Sequence, residues 1–200
     1  MQLLSSPASP FARKARVILL ETGQADVEVV DVSASPMGGE ARLNAANPSG
    51  KIPVLVRGDG PAIADSRVIC RFLDHRAGAG LYPERALWEV LTLEAGADAV
   101  LDATVGMVYE RRFRGEAGLL WEDWLEAQWA KVVRSLDGWE ARAMPLLHGR
   151  LNAAQIAAGC ALGYLDFRHP DRDWRAGRPA LAEWERGFAE RPAMRATRPA

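Results

Sequence analysis

The feature that most limits what this chain can fold into is a change of pattern near residue 80. Before it, short β-rich runs alternate with amphipathic stretches; after it, every patterned stretch has helical periodicity. The spacing predicts strands over 2–5, 27–32, 52–56 and 62–64, helices over 10–22 and 66–76, and a short helix around 40–43. Joining the first two strands through a helix needs a crossover, which makes them parallel. The turn Arg57-Gly58-Asp59-Gly60-Pro61 makes the last two antiparallel. The expected fold class is therefore α/β followed by all-α: a mixed four-stranded sheet in the order βαβ then ββα, joined to a helical bundle. Residues 1–78 form the first domain, 79–86 a linker opened by Ala79-Gly80, and 87–200 the helical domain. Each half is small enough that docking on the other should add to stability.

Within the helical half, residues 87–114 read as one long helix with Leu87, Leu91, Glu94, Ala97, Leu101, Val105 and Val108 near one stripe. A second helix covers 119–144 and ends ahead of Pro145; a third, 152–167, is almost wholly apolar and so central; a short one covers 179–189. Asn152 and Gln155 form an Asn-x-x-Gln capping box. Trp88, Trp121, Trp124, Trp129 and Trp139 read mainly as packing residues.

Composition narrows the function classes. A net charge of -1 gives no reason to expect nucleic acid or an anionic membrane as partner. The start, Met1-Gln2-Leu3-Leu4-Ser5, lacks the regions of a signal peptide, and no apolar run reaches membrane-spanning length, so a cytoplasmic location is expected. Cys70 and Cys160 sit far apart in helical patterns, and His75, His148 and His169 are scattered, so no metal site is expected. Positive charge is almost all arginine; the lysines are Lys14, Lys51 and Lys131.

Three marks in the first half carry chemistry when taken together. In Ser5-Ser6-Pro7-Ala8-Ser9-Pro10-Phe11, Ser9 suits an N-cap and Pro10 a first helical position. A hydroxyl then stands at a strand-to-helix turn where exposed N–H groups favour an anion. In Asn47-Pro48-Ser49-Gly50-Lys51-Ile52-Pro53-Val54-Leu55, Pro53 removes a ladder donor from an apolar strand. It is either an edge-strand proline or a cis bond that turns the Ile52 peptide outward to pair with an extended ligand. Asp65-Ser66 opens the next helix; either residue can cap it, or Ser66 and the first N–H groups can take a carboxylate and Asp65 an ammonium.

The order Ser-Pro-Phe, Pro-Ser-Gly-Lys-Ile-Pro-Val-Leu, Asp-Ser resembles the glutathione-binding half of cytosolic glutathione transferases, which have a thioredoxin-like fold. Asn152-Ala153-Ala154-Gln155-Ile156-Ala157 is similar to that family's Ser/Thr-x-x-Asp helix start, with Gln155 where the motif has Asp. Gly163-Tyr164-Leu165-Asp166-Phe167-Arg168 and Glu190-Arg191-Pro192-Ala193-Met194 resemble its bacterial members, so the likeness spans the chain. Relatives with a redox cysteine carry it ahead of Pro-Phe; here Ser9 stands there and Ala12 replaces the second member of the pair.

The resemblance implies a detoxifying homodimeric transferase with glutathione as cosubstrate. Its γ-glutamyl group would meet Asp65 and Ser66, its cysteinyl backbone Ile52 ahead of Pro53, and its glycyl end Lys51. Its thiol would meet the turn at Ser9 and Phe11, with Ser6 and Ser5 as competitors for the sulfur. Ser9 would donate a hydrogen bond to the thiolate, which then attacks a small hydrophobic electrophile. That second substrate would lie between the domains, with Thr104, Met107, Val108, Tyr109 and Tyr164 as candidates, each with packing as its alternative role. Asp98, four residues from Asp102, would cross a dimer interface toward the partner's γ-glutamyl ammonium, and Arg67 and Arg71 are candidate interface residues. Two other readings stand beside this one: reduction of peroxides or disulfides run on glutathione thiolates, and a non-catalytic binding module.

Overall fold

Leu3 and Leu4 point to opposite faces of the first strand and neither has any exposed surface, which makes that strand the centre of a two-sided layer. The computed structural model describes residues 1–199. Its strands β1 (Gln2–Ser5), β2 (Glu28–Asp31), β3 (Val54–Val56) and β4 (Ile63–Ala64) form one sheet in the order β2-β1-β3-β4. β1 runs parallel to β2 and antiparallel to β3, and β3 antiparallel to β4, as the connections require. This is the mixed four-stranded, thioredoxin-like sheet expected.

Helices cover both faces. Leu4, Val54, Val32 and Leu43 form a core on the side of α2 (Ala41–Ala46). Leu3 and its cross-strand partner Leu55 face the other way, toward α1 (Pro10–Glu21) and α3 (Ser66–Ala77), which pack together. α3 ends at Gly78, whose left-handed conformation suits glycine; its N–H reaches the carbonyls of Asp74 and His75. The Asp74 carboxylate accepts the N–H of Leu81 at 2.8 Å and ties down the start of the expected linker. A single turn of 3-10 helix, Glu84–Ala86, follows.

The chain divides into two compact units: Met1–Leu87 together with the segment beginning at Arg191, and Trp88–Glu190. The chain's last turn of helix therefore packs on α1 within the first unit, whereas the expected helical domain ran on to residue 200. Arg13 on α1 donates to the Met194 carbonyl and to Thr197 Oγ1, and Arg191 pairs with Glu21 at 2.8 and 2.9 Å.

The second unit holds α4 (Leu87–Arg114), α5 (Glu122–Arg142), a short α6 (Met144–Leu147), α7 (Ala153–Arg168) and α8 (Pro179–Ala189); α9 (Pro192–Ala196) belongs to the first. α5 stops at Arg142 and Pro145 sits in the first turn of α6, where its missing N–H costs nothing. α7 is buried along nearly its whole length, as its composition predicts. The buried set on α4 is broader than one stripe: Val90, Leu93, Ala97, Val100, Leu101 and Met107 are enclosed, while Leu87, Leu91, Val105 and Val108 are half-buried. Trp139, Trp174 and Trp184 are core residues, but Trp88 and Trp121 are 74% and 56% exposed and do not pack. Among the described residues no helix is long and apolar enough to cross a membrane.

Candidate functional site

The register of the sheet brings the three sequence marks to one end of the first unit. Leu4 pairs with Val54 and Val54 with Ala64, so the end of β1, the start of β3 and the end of β4 lie side by side. The next residues at that end are Ser5, Pro53 and Asp65. Two helices also begin there, α1 four residues after β1 and α3 immediately after β4. Their free N–H groups make this end of the sheet electropositive.

Ser9 is the N-cap of α1. Its Oγ accepts the Ala12 N–H at 3.2 Å and its own N–H donates to the Ser6 carbonyl at 3.0 Å. A hydroxyl that accepts one hydrogen bond still has its proton to donate, so capping leaves Ser9 able to bond a sulfur. Ser6 and Phe11 are half-buried beside it. Ser5 is fully buried and its Oγ has no hydrogen-bond partner among the described residues; its burial removes it from competition for a ligand arriving from solvent.

The second mark is held by Asn47. Its Oδ1 accepts from the Ser49 N–H and Oγ at 3.2 and 2.9 Å, and its Nδ2 donates to the Lys51 carbonyl at 2.9 Å. Gly50, at φ 65°, completes the turn; a Cβ there would come within 3.1 Å of Asn44 Oδ1. The Ile52-Pro53 bond is cis, the second of the two readings open from sequence. β3 then begins at Val54 rather than at residue 52, and the Ile52 peptide groups make no hydrogen bond among the described residues. Lys51 is exposed next to it. Asparagine ahead of Pro-Ser-Gly is a turn signal in sequence. Its grip on the Lys51 carbonyl, by contrast, appears only once the loop closes.

At the third mark, Asp65 adopts φ 73°, a conformation costing a non-glycine residue on the order of 1–3 kcal/mol. It caps α3 by accepting the Arg67 N–H at 2.9 Å, and Arg67 closes a two-pronged ion pair on the same carboxylate at 3.1 and 3.2 Å. The Arg67 guanidinium is the main reason this carboxyl is held below its usual range, with a smaller contribution from the charge of Lys14. Asp65 is thus anionic but already shared, and an incoming ammonium would join a carboxylate that Arg67 holds in place. Arg67 is folded back on its own helix, while Arg71 lies over the Tyr82 ring at 5.3 Å. Ser66 is buried at the first turn of α3.

The candidates in the second unit fare differently. Thr104 is fully buried and spends its hydroxyl on the carbonyls of Val100 and Leu101; Met107 is fully buried as well. Tyr164 is 4% exposed, and burial pushes its phenol up to about 12. These three are packing residues; Val108 and Tyr109 keep exposed surface, and Tyr109 stacks on Phe113 at 5.7 Å. Asp98, expected to face outward across an interface, is only 7% exposed within its own chain. The exposed member of that pair is Asp102.

Residues 8–76 match the N-terminal domain of glutathione S-transferases and residues 122–187 match the C-terminal domain. The uncharacterised GST-like protein YibF of Escherichia coli K12 is 33% identical over all of this chain and 98% of its own length. A glutathione transferase family member from Pseudomonas fluorescens Pf-5, solved with bound glutathione, is 44% identical with a TM-score of 0.95, over 100% of this chain and 98% of that one. The P. fluorescens family member was also solved with S-(propanoic acid)-glutathione, at 43% identity and a TM-score of 0.90 over all of both chains. A glutathione S-transferase from Methylobacillus flagellatus KT, with glutathione bound, is 37% identical with a TM-score of 0.88, over 100% and 99% of the two chains.

Proposed function

This chain belongs to the glutathione S-transferase family, and we propose that it is a working transferase that binds glutathione at the Ser9 end of its sheet and joins the sulfur to a small electrophile. The observation that carries the proposal is the register that aligns the ends of β1, β3 and β4. Three adjacent strands span two gaps of about 4.8 Å, roughly 10 Å in all. An extended tripeptide covers about 10–11 Å. Glutathione laid across the strand ends would reach from the Asp65-Ser66 helix start to the Ser9 turn, its cysteinyl peptide pairing with Ile52 and its glycyl carboxylate near Lys51.

In that pose the chemistry follows from groups already in place. The thiol loses its proton to solvent. The thiolate then sits at the positive end of α1, where Ser9 donates a hydrogen bond to it. A neutral serine hydroxyl is too weakly basic to take the thiol proton, and too weak an acid to be present as an alkoxide, so Ser9 stabilises the anion and does not remove the proton. The thiolate attacks the electrophile, a carbon–sulfur bond forms, and the displaced electron pair leaves with a leaving group or takes a proton from water. Because Oγ already accepts from Ala12, its O–H is polarised toward the sulfur.

Several observations support transfer over reduction by the protein's own thiols. No cysteine stands at the Ser9 turn, and Cys70 and Cys160 are 1% and 0% exposed. The Pseudomonas relative binds a glutathione whose sulfur carries a three-carbon acid, which is the size class we propose for the electrophile here. The proposed assembly is a homodimer. Calorimetric titration with glutathione, followed by turnover on a model aryl halide, a hydroperoxide and a mixed disulfide, tests the proposal. The expected result is saturable binding with turnover on the aryl halide. Binding without turnover would leave the non-catalytic module, and turnover on the disulfide alone would favour reduction.

A further inference from the structure

We infer that the second unit holds the electrophile on a cluster of aromatic rings edged by Arg112 and Arg168, and that the electrophile is an aromatic acid. The inference rests on the transferase reading and names the class of its second substrate. A transferase that attacks an apolar electrophile needs a surface to hold it, and the ends of α4 and α7 supply one. On α4, Tyr109 stacks on Phe113 with ring centroids 5.7 Å apart. On α7, Tyr164 meets Phe167 edge-on at 6.4 Å. His169 holds the end of α7 against α4, with Nε2 3.2 Å from the Thr104 carbonyl and Nδ1 3.4 Å from Arg111 Nη1. The two ring pairs adjoin: burial and then Tyr109 raise the pKa of Tyr164, and the charge of Arg168 opposes them. Tyr164 is enclosed beneath the cluster, whereas Phe113 is 39% exposed and Tyr109 and Phe167 keep exposed surface.

Each ring pair has a guanidinium against it. Arg168 lies over the Phe167 ring at 3.9 Å and Arg112 over the Phe113 ring at 5.6 Å. Both arginines are exposed, and neither makes an ion pair with any described residue. The acids close to them in sequence have other partners. Asp166 is held by Arg175 and the Trp174 ring N–H, Glu110 by Arg114 and the Trp121 N–H. The charge of Asp171 acts on His169 and Arg172. A guanidinium lying on a ring still presents its N–H fork in its own plane, past the ring edge. A carboxylate can take that fork while an aromatic body attached to it covers the rings. A neutral aromatic electrophile leaves the forks to water, and an aliphatic acid leaves Phe113 and Tyr109 uncovered. On an aromatic acid carrying a halogen, the thiolate sulfur bonds to the ring carbon, the carbon–halogen bond breaks, and its electron pair leaves as halide. The arginines hold the carboxylate and move no proton.

The test compares 4-chloro-3,5-dinitrobenzoate with its methyl ester, which has the same ring and leaving group but no charge. With full-length protein and glutathione, kcat/KM relative to the uncatalysed rate should favour the acid by about tenfold, the factor one charge-assisted hydrogen bond supports. Arg168→Gln should remove most of that preference by raising KM for the acid while kcat changes little. Arg168→Lys should restore part of it, and high salt should shrink it. Tyr109→Ala should weaken acid and ester alike, as loss of a shared stacking surface requires. Calorimetry with the unreactive 3,5-dinitrobenzoate and its methyl ester separates two kinds of failure. Tighter binding of the acid, lost in Arg168→Gln, without turnover of either chlorinated substrate would end the transferase reading and uphold the acid site. Equal handling of acid and ester in turnover and in binding, or a preference that survives Arg168→Gln, would overturn the acid site whatever becomes of that reading.

Discussion

At Ser9 one hydroxyl has two tasks that do not compete, because its lone pair serves the Ala12 N–H and its proton remains to be donated. Ser9→Ala removes both. The helix loses about 1 kcal/mol of capping. If the donated bond holds the bound thiol's pKa down by one to two units, its loss should lower kcat/KM about 10- to 100-fold. A pH–rate profile checks this, since the acidic limb should move to higher pH; an unmoved profile would shift the role to Ser6. His169 gives a second prediction at this scale. It is fully buried, with Nε2 3.2 Å from the Thr104 carbonyl and Nδ1 3.4 Å from Arg111 Nη1. These partners suit a neutral ring that donates from Nε2 and accepts at Nδ1. Burial is the main force lowering its pKa, and the Arg111 and Arg172 charges add to it; the Thr104 carbonyl and Asp171 oppose. The unfolded chain therefore binds this proton first as pH falls, so stability drops below the unfolded value near 6.5 and keeps dropping to the folded one. Asp26, Asp65 and Glu126 have lowered pKa values and act in the opposite range, losing their contribution only as pH falls past the ordinary carboxylate region. Thermal melts from pH 7.5 to 5.5 should show a falling Tm, and His169→Gln should flatten that slope.

Among the elements, α7 shows how a pattern can be right while its wiring differs. Asn152 caps the helix as the sequence implies, its Oδ1 accepting the Gln155 N–H at 3.1 Å. Gln155 does not complete a reciprocal box. Its Nε2 donates to the carbonyls of Leu146, Gly149 and Arg150 at 3.0–3.2 Å, clamping the loop that precedes the helix. Only a donor can do this, so the departure from the family's acidic residue is matched by the carbonyls around it. Gln155→Asp should cost about 1–3 kcal/mol, because the carbonyls lose their donor and face a carboxylate; a shifted urea midpoint at unchanged m-value would measure it. α8 is a contrasting case. No side chain of its own caps it, and the Glu140 carboxylate of α5 accepts the N–H groups of Ala180 and Leu181 at 3.1 and 2.7 Å. Pro179 marks where that helix starts, but nothing local marks the group that caps it. Burial on α4 departs from the single stripe for a similar reason: a helix covered over more than one face hides the stripe that periodicity marks.

For the whole molecule, the decisive contacts join residues far apart in sequence. Arg191 with Glu21, and Arg13 with Met194 and Thr197, tie the end of the chain to α1 across more than 160 positions. Removing residues 191–200 should strip those bonds and the buried Ala193 and Met194 from the first unit, lowering its stability by several kcal/mol. Differential scanning calorimetry should show a melt several degrees lower at about 2–4 °C per kcal/mol; an unchanged melt would make the segment dispensable. The sequence by itself determined the kinds of elements, the parallel and antiparallel pairings, the two-part organisation, and which residues to examine, because periodicity, turn chemistry and capping are local. Only the tertiary structure decided that the three marks share one end of the sheet, that Ser5 and Asp98 are enclosed, and that Asp65 is already shared with Arg67. Those outcomes depend on register and on which distant segment arrives first at a charged group, and neither is written in any window of neighbouring residues.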